Sequence, residues 1–280
     1  MLSLCLALAS TLAAAQDTAC ARTVSPGEAL EHLSAPGLRL GIALGSGSMH
    51  GLAHVGVLQE LEAQGLDVRV VAGTSIGAMV GALWASGMSA ADIERAAREW
   101  DSKSPSIAKQ LAPLLGKRPI QDWPRRFGAV ATNLDNGHRR ILMSGDGVLA
   151  IQASSAVPVL YSPVMLGGER LVDGALVEPV PVDAARALGA DYVIAIDVAY
   201  RPYEESADWM TRNAFQAMHI LVNSLAARQL RDADVAIRLD VHHQLTACGP
   251  DALIAAGRDA VRAAWPEIAR SLRARVEKSY

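Results

Sequence analysis

Apolar residues along this chain follow two rhythms in turn. Leu38–Leu44 (LRLGIAL) is a short apolar run closed by glycines, and it predicts a buried strand. Residues 52–64 (LAHVGVLQELEAQ) then space their apolar side chains at helical intervals and stop at Gly65. Val68–Ala72 (VRVVA) predicts a second buried strand, and 75–86 a helix of small residues ending at Gly87. Ser89 caps a further helix, with Asp92 three residues on as a capping-box variant. Phe127–Thr132 and Arg140–Met143 read as strands, 147–157 as a helix stopping near Pro158, and Glu169–Val172 as a lead-in to Asp173. Pro181–Leu188 is predicted helical up to Gly189, and Tyr192–Val198 (YVIAIDV) is a strand apolar on both faces. Residues 206–230 predict a long helix, Val235–Val241 a strand, and 250–275 mostly helix. Strands that alternate with helices, most of them apolar on both faces, predict an α/β fold: a mostly parallel central sheet with helices on both faces.

Residues 2–15 (LSLCLALASTLAAA) stand outside this pattern. They carry no charge and end in Ala13-Ala14-Ala15 before Gln16, so 1–15 reads as a cleaved export signal. The run is too short to span a bilayer. No Lys or Arg precedes it, and an Ala-rich helix is the other reading. Cleavage implies an exported protein, periplasmic or secreted; without it the chain stays cytoplasmic. A lipoprotein reading is weaker, because Asp17 sits where a lipobox wants Leu.

Composition adds mainly exclusions. The 280 residues carry a formal charge of −3, and the basic residues are scattered, which argues against nucleic acid as a partner and against a polybasic membrane anchor. No Pro/Ser-rich linker or charge run divides 38–276, so it reads as one domain. The three cysteines lack metal-site spacing, and no metal is implied. Loss of Cys5 with the signal leaves Cys20 and Cys248, either disulfide-bonded or as two thiols.

Three segments carry chemistry. Gly73-Thr74-Ser75-Ile76-Gly77 follows a predicted strand and opens a predicted helix, the setting of a nucleophile elbow. Side chains two positions either side of the serine would collide in such a turn, hence Gly73 and Gly77. The helix N-terminus directs free N–H groups at the reacting oxygen. Gly45-Ser46-Gly47-Ser48-Met49-His50-Gly51 lies between the first strand and first helix, where small residues let N–H groups approach an anion. It reads as an oxyanion hole formed over Gly45, Ser46, Gly47, Ser48 and Met49. A dinucleotide loop is the competing reading, but the second strand lacks the acidic residue that reading requires. The third segment is Leu171-Val172-Asp173-Gly174-Ala175, a carboxylate delivered onto a glycine turn; alone it reads as a turn.

In this order the three segments resemble the patatin-like phospholipase family, closest to bacterial members related to the neuropathy target esterase catalytic domain. The resemblance runs from about Leu38 to Asp197. It includes Gly51-Leu52-Ala53-His54-Val55-Gly56-Val57-Leu58, Ala131-Thr132-Asn133-Leu134, Ala153-Ser154-Ser155-Ala156-Val157-Pro158 and Pro179-Val180-Pro181-Val182. It implies a three-layer sandwich and a Ser–Asp dyad: Ser75 attacks an acyl ester and Asp173 takes its proton directly. It also implies lipid or acyl-ester substrates, transient contact with a membrane surface, and no cofactor. Met49, Val159, Leu160, Tyr161 and the 104–118 segment are candidates for an apolar mouth.

The chain departs from the family at several points. His50 replaces the usual Arg or Lys, Ser46 and Ser48 replace glycines, Glu178 stands where Asn is usual, and the stretch between Trp100 and Trp123 is short. His50 and the short 101–122 segment also fit a patatin-like scaffold that binds lipid or a partner with little turnover. A Ser–Asp–His triad would need His219, His242 or His243; His219 falls in a stripe that reads as core, and His242-His243 as a solvated loop end.

Overall fold

Every residue of β1, Leu40–Leu44, is buried, and its side chains divide between two apolar layers. Leu40, Ile42 and Leu44 join the larger layer, while Ala43 joins the smaller. β7, Tyr192–Asp197, repeats the division: Tyr192, Ile194 and Ile196 face one way, Val193 and Ala195 the other. This is the period-two pattern of strands covered on both faces. The computed structural model describes residues 37–100, 104, 106–198, 209–239 and 242–277. The export-signal reading and Cys20 fall outside these residues, as does the side chain of Cys248.

Eight strands form one sheet in the order β5-β6-β3-β2-β1-β7-β8, with β4 also on β3. The remaining strands are β2 (Val68–Thr74), β3 (Arg126–Asn133), β4 (Arg139–Leu142), β5 (Val164–Leu166), β6 (Glu169–Asp173) and β8 (Val235–Arg238). β3, β2, β1, β7 and β8 run parallel, and β4, β5 and β6 are antiparallel additions. The fold class read from the sequence is therefore present.

The helices are α1 (Leu52–Ala63), α2 (Ile76–Ala85), α3 (Ala90–Arg98), α4 (Ile107–Leu115), α5 (Gly147–Ser154), α6 (Val182–Ala187), α7 (Trp209–Gln229) and α8 (His242–Glu277). Ser89 caps α3 by accepting from the Asp92 N–H. α1 and α8 pack backbone to backbone on the larger layer. A Cβ at Gly56 would lie 1.8 Å from the Ile254 carbonyl oxygen, and one at Gly257 would lie 2.0 Å from that of Ala53.

Three elements differ from the sequence expectation. The segment 104–118 contains α4, capped by Ser106 and burying Leu111 and Leu115. β5 is a three-residue strand, too short to show a period. α8 begins before residue 250 and bends at Gly249, whose φ of 75° only a glycine adopts without strain. His242 therefore opens a helix, where the sequence suggests a loop end.

Candidate active site

The register of β3 brings two distant segments together. Along one edge β3 carries β4, with Ala129 to Thr132 opposite Leu142 to Arg139. β2 occupies the other edge as far as Thr74, which pairs with Val130. The next position, Ala131, pairs with Asp173 of β6 while Arg140 still holds the first edge. β2 and β6 thus share one edge of β3 and meet there C-terminus to C-terminus. Ser75 follows one end and Asp173 is the other. Gly174 is needed at this junction, since a Cβ there would lie 2.2 Å from the Val130 carbonyl oxygen.

Ser75 has φ 56° and ψ −123°, backbone angles that only glycine adopts without strain. The surroundings hold it there. A Cβ on Gly73 would sit 2.4 Å from the Ala78 Cα, and one on Gly77 would sit 2.1 Å from the Leu44 carbonyl oxygen. The Ser75 N–H donates to Ser154 Oγ at 3.0 Å, and that hydroxyl donates to the Val130 carbonyl at 2.5 Å. Thr74 Oγ1 donates to the Glu178 carbonyl at 2.7 Å. Ser75 itself remains partly accessible.

Asp173 is 3% exposed and has the Ser75 hydroxyl as a neighbour that lowers its pKa. Its Oδ1 accepts the Ala175 N–H at 2.8 Å. Burial pushes its pKa up to about 6, against the lowering effect of those two groups. The register of β3 brings the carboxylate and the serine to one junction. His219 lies on α7, and burial pushes its pKa down.

The glycine-rich loop divides in two. The Gly45 N–H donates to the Ile196 carbonyl at 2.9 Å and the Ser46 N–H to the Pro179 carbonyl at 2.8 Å. These two N–H groups are spent inside the fold, which corrects the expectation that they face an oxyanion. Gly47, Ser48 and Met49 lead into a short 3₁₀ helix, Ser48–Gly51, and first-turn N–H groups have no partner within a helix. Ile76 and Gly77 open α2 in the same way. Ser48 has φ 49°, which explains why glycine suits that position. His50 is buried, with its N–H donating to the Gly47 carbonyl and Nδ1 3.2 Å from the same oxygen.

Glu178 is buried as well. It accepts the Ala184 N–H at the start of α6 at 2.9 Å and pairs with Arg139 at 2.9 Å; burial raises its pKa. Sequence reasoning missed Ser154, whose signal is a hydroxyl set among the apolar residues of α5. Met49, Val159, Leu160 and Tyr161 are exposed, as are Leu134 and Met165. Val159 has φ 75°, a strained angle for a β-branched residue.

Residues 42–128 and 107–186 match the family described as patatin-like phospholipase. The lysophospholipase NTE1 of Pyricularia oryzae is 31% identical over 182 residues, 58% of this chain and 12% of that protein. An uncharacterized NTE family protein of Mycobacterium bovis is 30% identical over 226 residues, 69% of this chain and 60% of the relative. The chain therefore spans about one eighth of the fungal relative's length, and less than two thirds of the mycobacterial one's. Among solved structures, VipD from Legionella pneumophila aligns with a TM-score of 0.47 at 13% identity, covering 85% of this chain and 67% of that one.

Proposed function

The chain belongs to the patatin-like phospholipase family, and from that premise we propose that it is a serine lipid acyl hydrolase working through a Ser75–Asp173 dyad. The observation that carries this reading is the junction on β3, where the chain after Thr74 and a buried Asp173 meet at the neighbouring positions Val130 and Ala131. Ionised Asp173 accepts the hydroxyl proton as Oγ bonds to the ester carbonyl carbon. The carbonyl oxygen becomes an oxyanion, held by N–H groups from the 47–49 loop and the start of α2. Collapse of the tetrahedral species breaks the bond to the leaving alkoxide, which takes the proton from Asp173. Water then attacks the acyl-enzyme with Asp173 again as base, releasing the fatty acid and restoring Ser75. A base with a pKa of about 6 is ionised at neutral pH yet basic enough to accept the proton.

Lipid esters are the substrate class favoured by the exposed apolar residues Met49, Val159, Leu160 and Tyr161. Met49 belongs to the loop itself, and 159–161 follow closely on Ser154, which holds Ser75. The same residues would rest on a lipid surface during turnover. The test is hydrolysis of a nitrophenyl ester and of a phospholipid and lysophospholipid panel, with Ser75→Ala and Asp173→Asn as controls. Loss of turnover in both variants, and of fluorophosphonate labelling in Ser75→Ala, is expected; wild-type turnover by Ser75→Ala would sink the reading.

A further inference from the structure

α1 sends one side chain back to the loop. His54 is fully buried, and its Nε2 lies 2.8 Å from the Gly45 carbonyl oxygen. A carbonyl only accepts, so Nε2 carries the proton. Nδ1 is then left with a lone pair, buried and without a hydrogen-bond partner. Ala53, Val55 and Val57 beside it are fully buried and apolar. An apolar side chain here would trade the orphaned nitrogen for an orphaned Gly45 carbonyl, so hydrogen-bond satisfaction alone gives histidine no clear advantage. Burial holds its pKa down to about 4, and the ring is neutral at working pH.

The bond that His54 does make lies at a sensitive point. The Gly45 carbonyl and the Ser46 N–H belong to one peptide unit. Its oxygen is held by His54 and its N–H by the Pro179 carbonyl, so the unit is pinned at both ends. Directly after it come the N–H groups of Gly47, Ser48 and Met49. Pro179 adjoins Glu178, whose carbonyl holds Thr74 beside the nucleophile. Gly77, in the elbow, packs so close to the Gly45 carbonyl that a Cβ would lie 2.6 Å from that oxygen. The orientation of one peptide therefore relates the loop to both sides of the Ser75 elbow.

We propose that His54 is a positioning residue for the reaction: its Nε2–H fixes the 45–46 peptide so that the N–H groups after it point at the tetrahedral oxygen. This rests on reading the loop as the oxyanion site. His54 touches no substrate, so its loss acts on the transition state and leaves binding intact.

Two variants test it on a short-chain nitrophenyl ester. His54→Met fills the site without a donor, while His54→Gln places an amide N–H near the position of Nε2. In His54→Met, kcat should fall roughly 10- to 100-fold, below the loss expected for a deleted oxyanion donor, with KM within about twofold. Fluorophosphonate labelling of Ser75 should slow by a similar factor. The Tm should change little, since the substitution removes the orphaned Nδ1 but orphans the Gly45 carbonyl in its place, and the acid limb of the pH profile should stay in place. His54→Gln should restore most of kcat. Wild-type kcat in His54→Met, or an equal loss in the two variants, overturns the inference. If circular dichroism shows that His54→Met does not fold, His54→Gln decides. A kcat within roughly fivefold of wild type then supports the donor role, and a larger fall overturns it. Ser75→Ala separates the two levels of reading. Wild-type turnover in that variant removes the hydrolase and this inference together. An inactive Ser75→Ala beside an unimpaired His54→Met removes this inference alone.

Discussion

At Ser75 and Asp173 the conformation that suits chemistry is the one that costs stability. Ser75 holds φ 56° and ψ −123°, a region that costs a non-glycine residue about 1–3 kcal/mol. Ser75→Gly should therefore abolish turnover while raising unfolding free energy by about 1 kcal/mol, measured by urea denaturation. Asp173 stores cost in its ionised form. Its pKa is about 6 in the fold against 3.8 for an ordinary Asp. The folded state binds this proton more tightly than the unfolded chain does. The associated stability is thus complete below about pH 4 and lost as pH rises through about 6. At one pKa unit per 1.4 kcal/mol, the loss is of order 3 kcal/mol by pH 8. Asp173→Asn keeps an acceptor for the Ala175 N–H and carries no charge. It should unfold at a higher temperature than wild type at pH 8, with the gap closing toward pH 4. The same proton governs activity: kcat/KM should rise through a single ionisation near pH 6. A rate independent of pH from 5 to 8 would remove Asp173 as the base.

Single elements were largely legible in the sequence; the way elements meet was not. β1, β2, α2 and β7 declare themselves by apolar runs and glycine stops, and Gly73 and Gly77 declare the elbow. The junction of β2 with β6 is invisible in the chain, because it depends on which positions of β3 each strand pairs with. Ser154 is 79 residues from Ser75, so no local period could join them. The division of the 45–49 loop is set by the Ile196 and Pro179 carbonyls, again remote in sequence. β5 is too short for any pattern, and α4 hides in a segment whose apolar residues also suit a cleft mouth. Of the two crossing helices, α1 lies within the matched family region and α8 beyond it, since that region ends at residue 186. Gly56 and Gly257 allow that crossing, with each absent Cβ replaced by a partner backbone. Gly257→Ala would place a carbon 2.0 Å from the Ala53 carbonyl oxygen and force the helices apart. Overpacking of this kind costs about 1–3 kcal/mol or more. A fall in Tm of several degrees is expected, with activity falling too, since α1 carries His54. An unchanged Tm would mean that α8 is not packed on α1 in this way.

For the whole molecule, exposed apolar surface and charge both bear on how a lipid would arrive. A net charge of −3 provides no general attraction to an anionic bilayer. On the proposed reading, contact with lipid would come from apolar side chains entering the interface. Val159, Leu160 and Tyr161 are 75%, 61% and 48% exposed, and Met49 is 43% exposed. They are large side chains that a chain with no use for them would bury or replace. Val159 also has φ 75°, a strained angle for a β-branched residue. If these residues seat the protein on lipid, replacing Leu160 and Tyr161 with aspartate should act selectively. Turnover of dispersed short-chain esters should stay within about twofold, while turnover of vesicle phospholipid should fall tenfold or more, matching loss of about 1.4 kcal/mol of interfacial binding per decade. Vesicle sedimentation of the Ser75→Ala protein, with and without the two aspartates, reads the binding apart from catalysis. Because the attraction is apolar, raising salt from 0.05 to 0.5 M, on the order of a threefold shorter Debye length, should leave the bound fraction nearly constant. A strong decline with salt would instead mean that scattered basic residues hold the protein to the surface. Equal losses on dispersed esters and on vesicles would place Leu160 and Tyr161 in acyl-chain binding within the cleft.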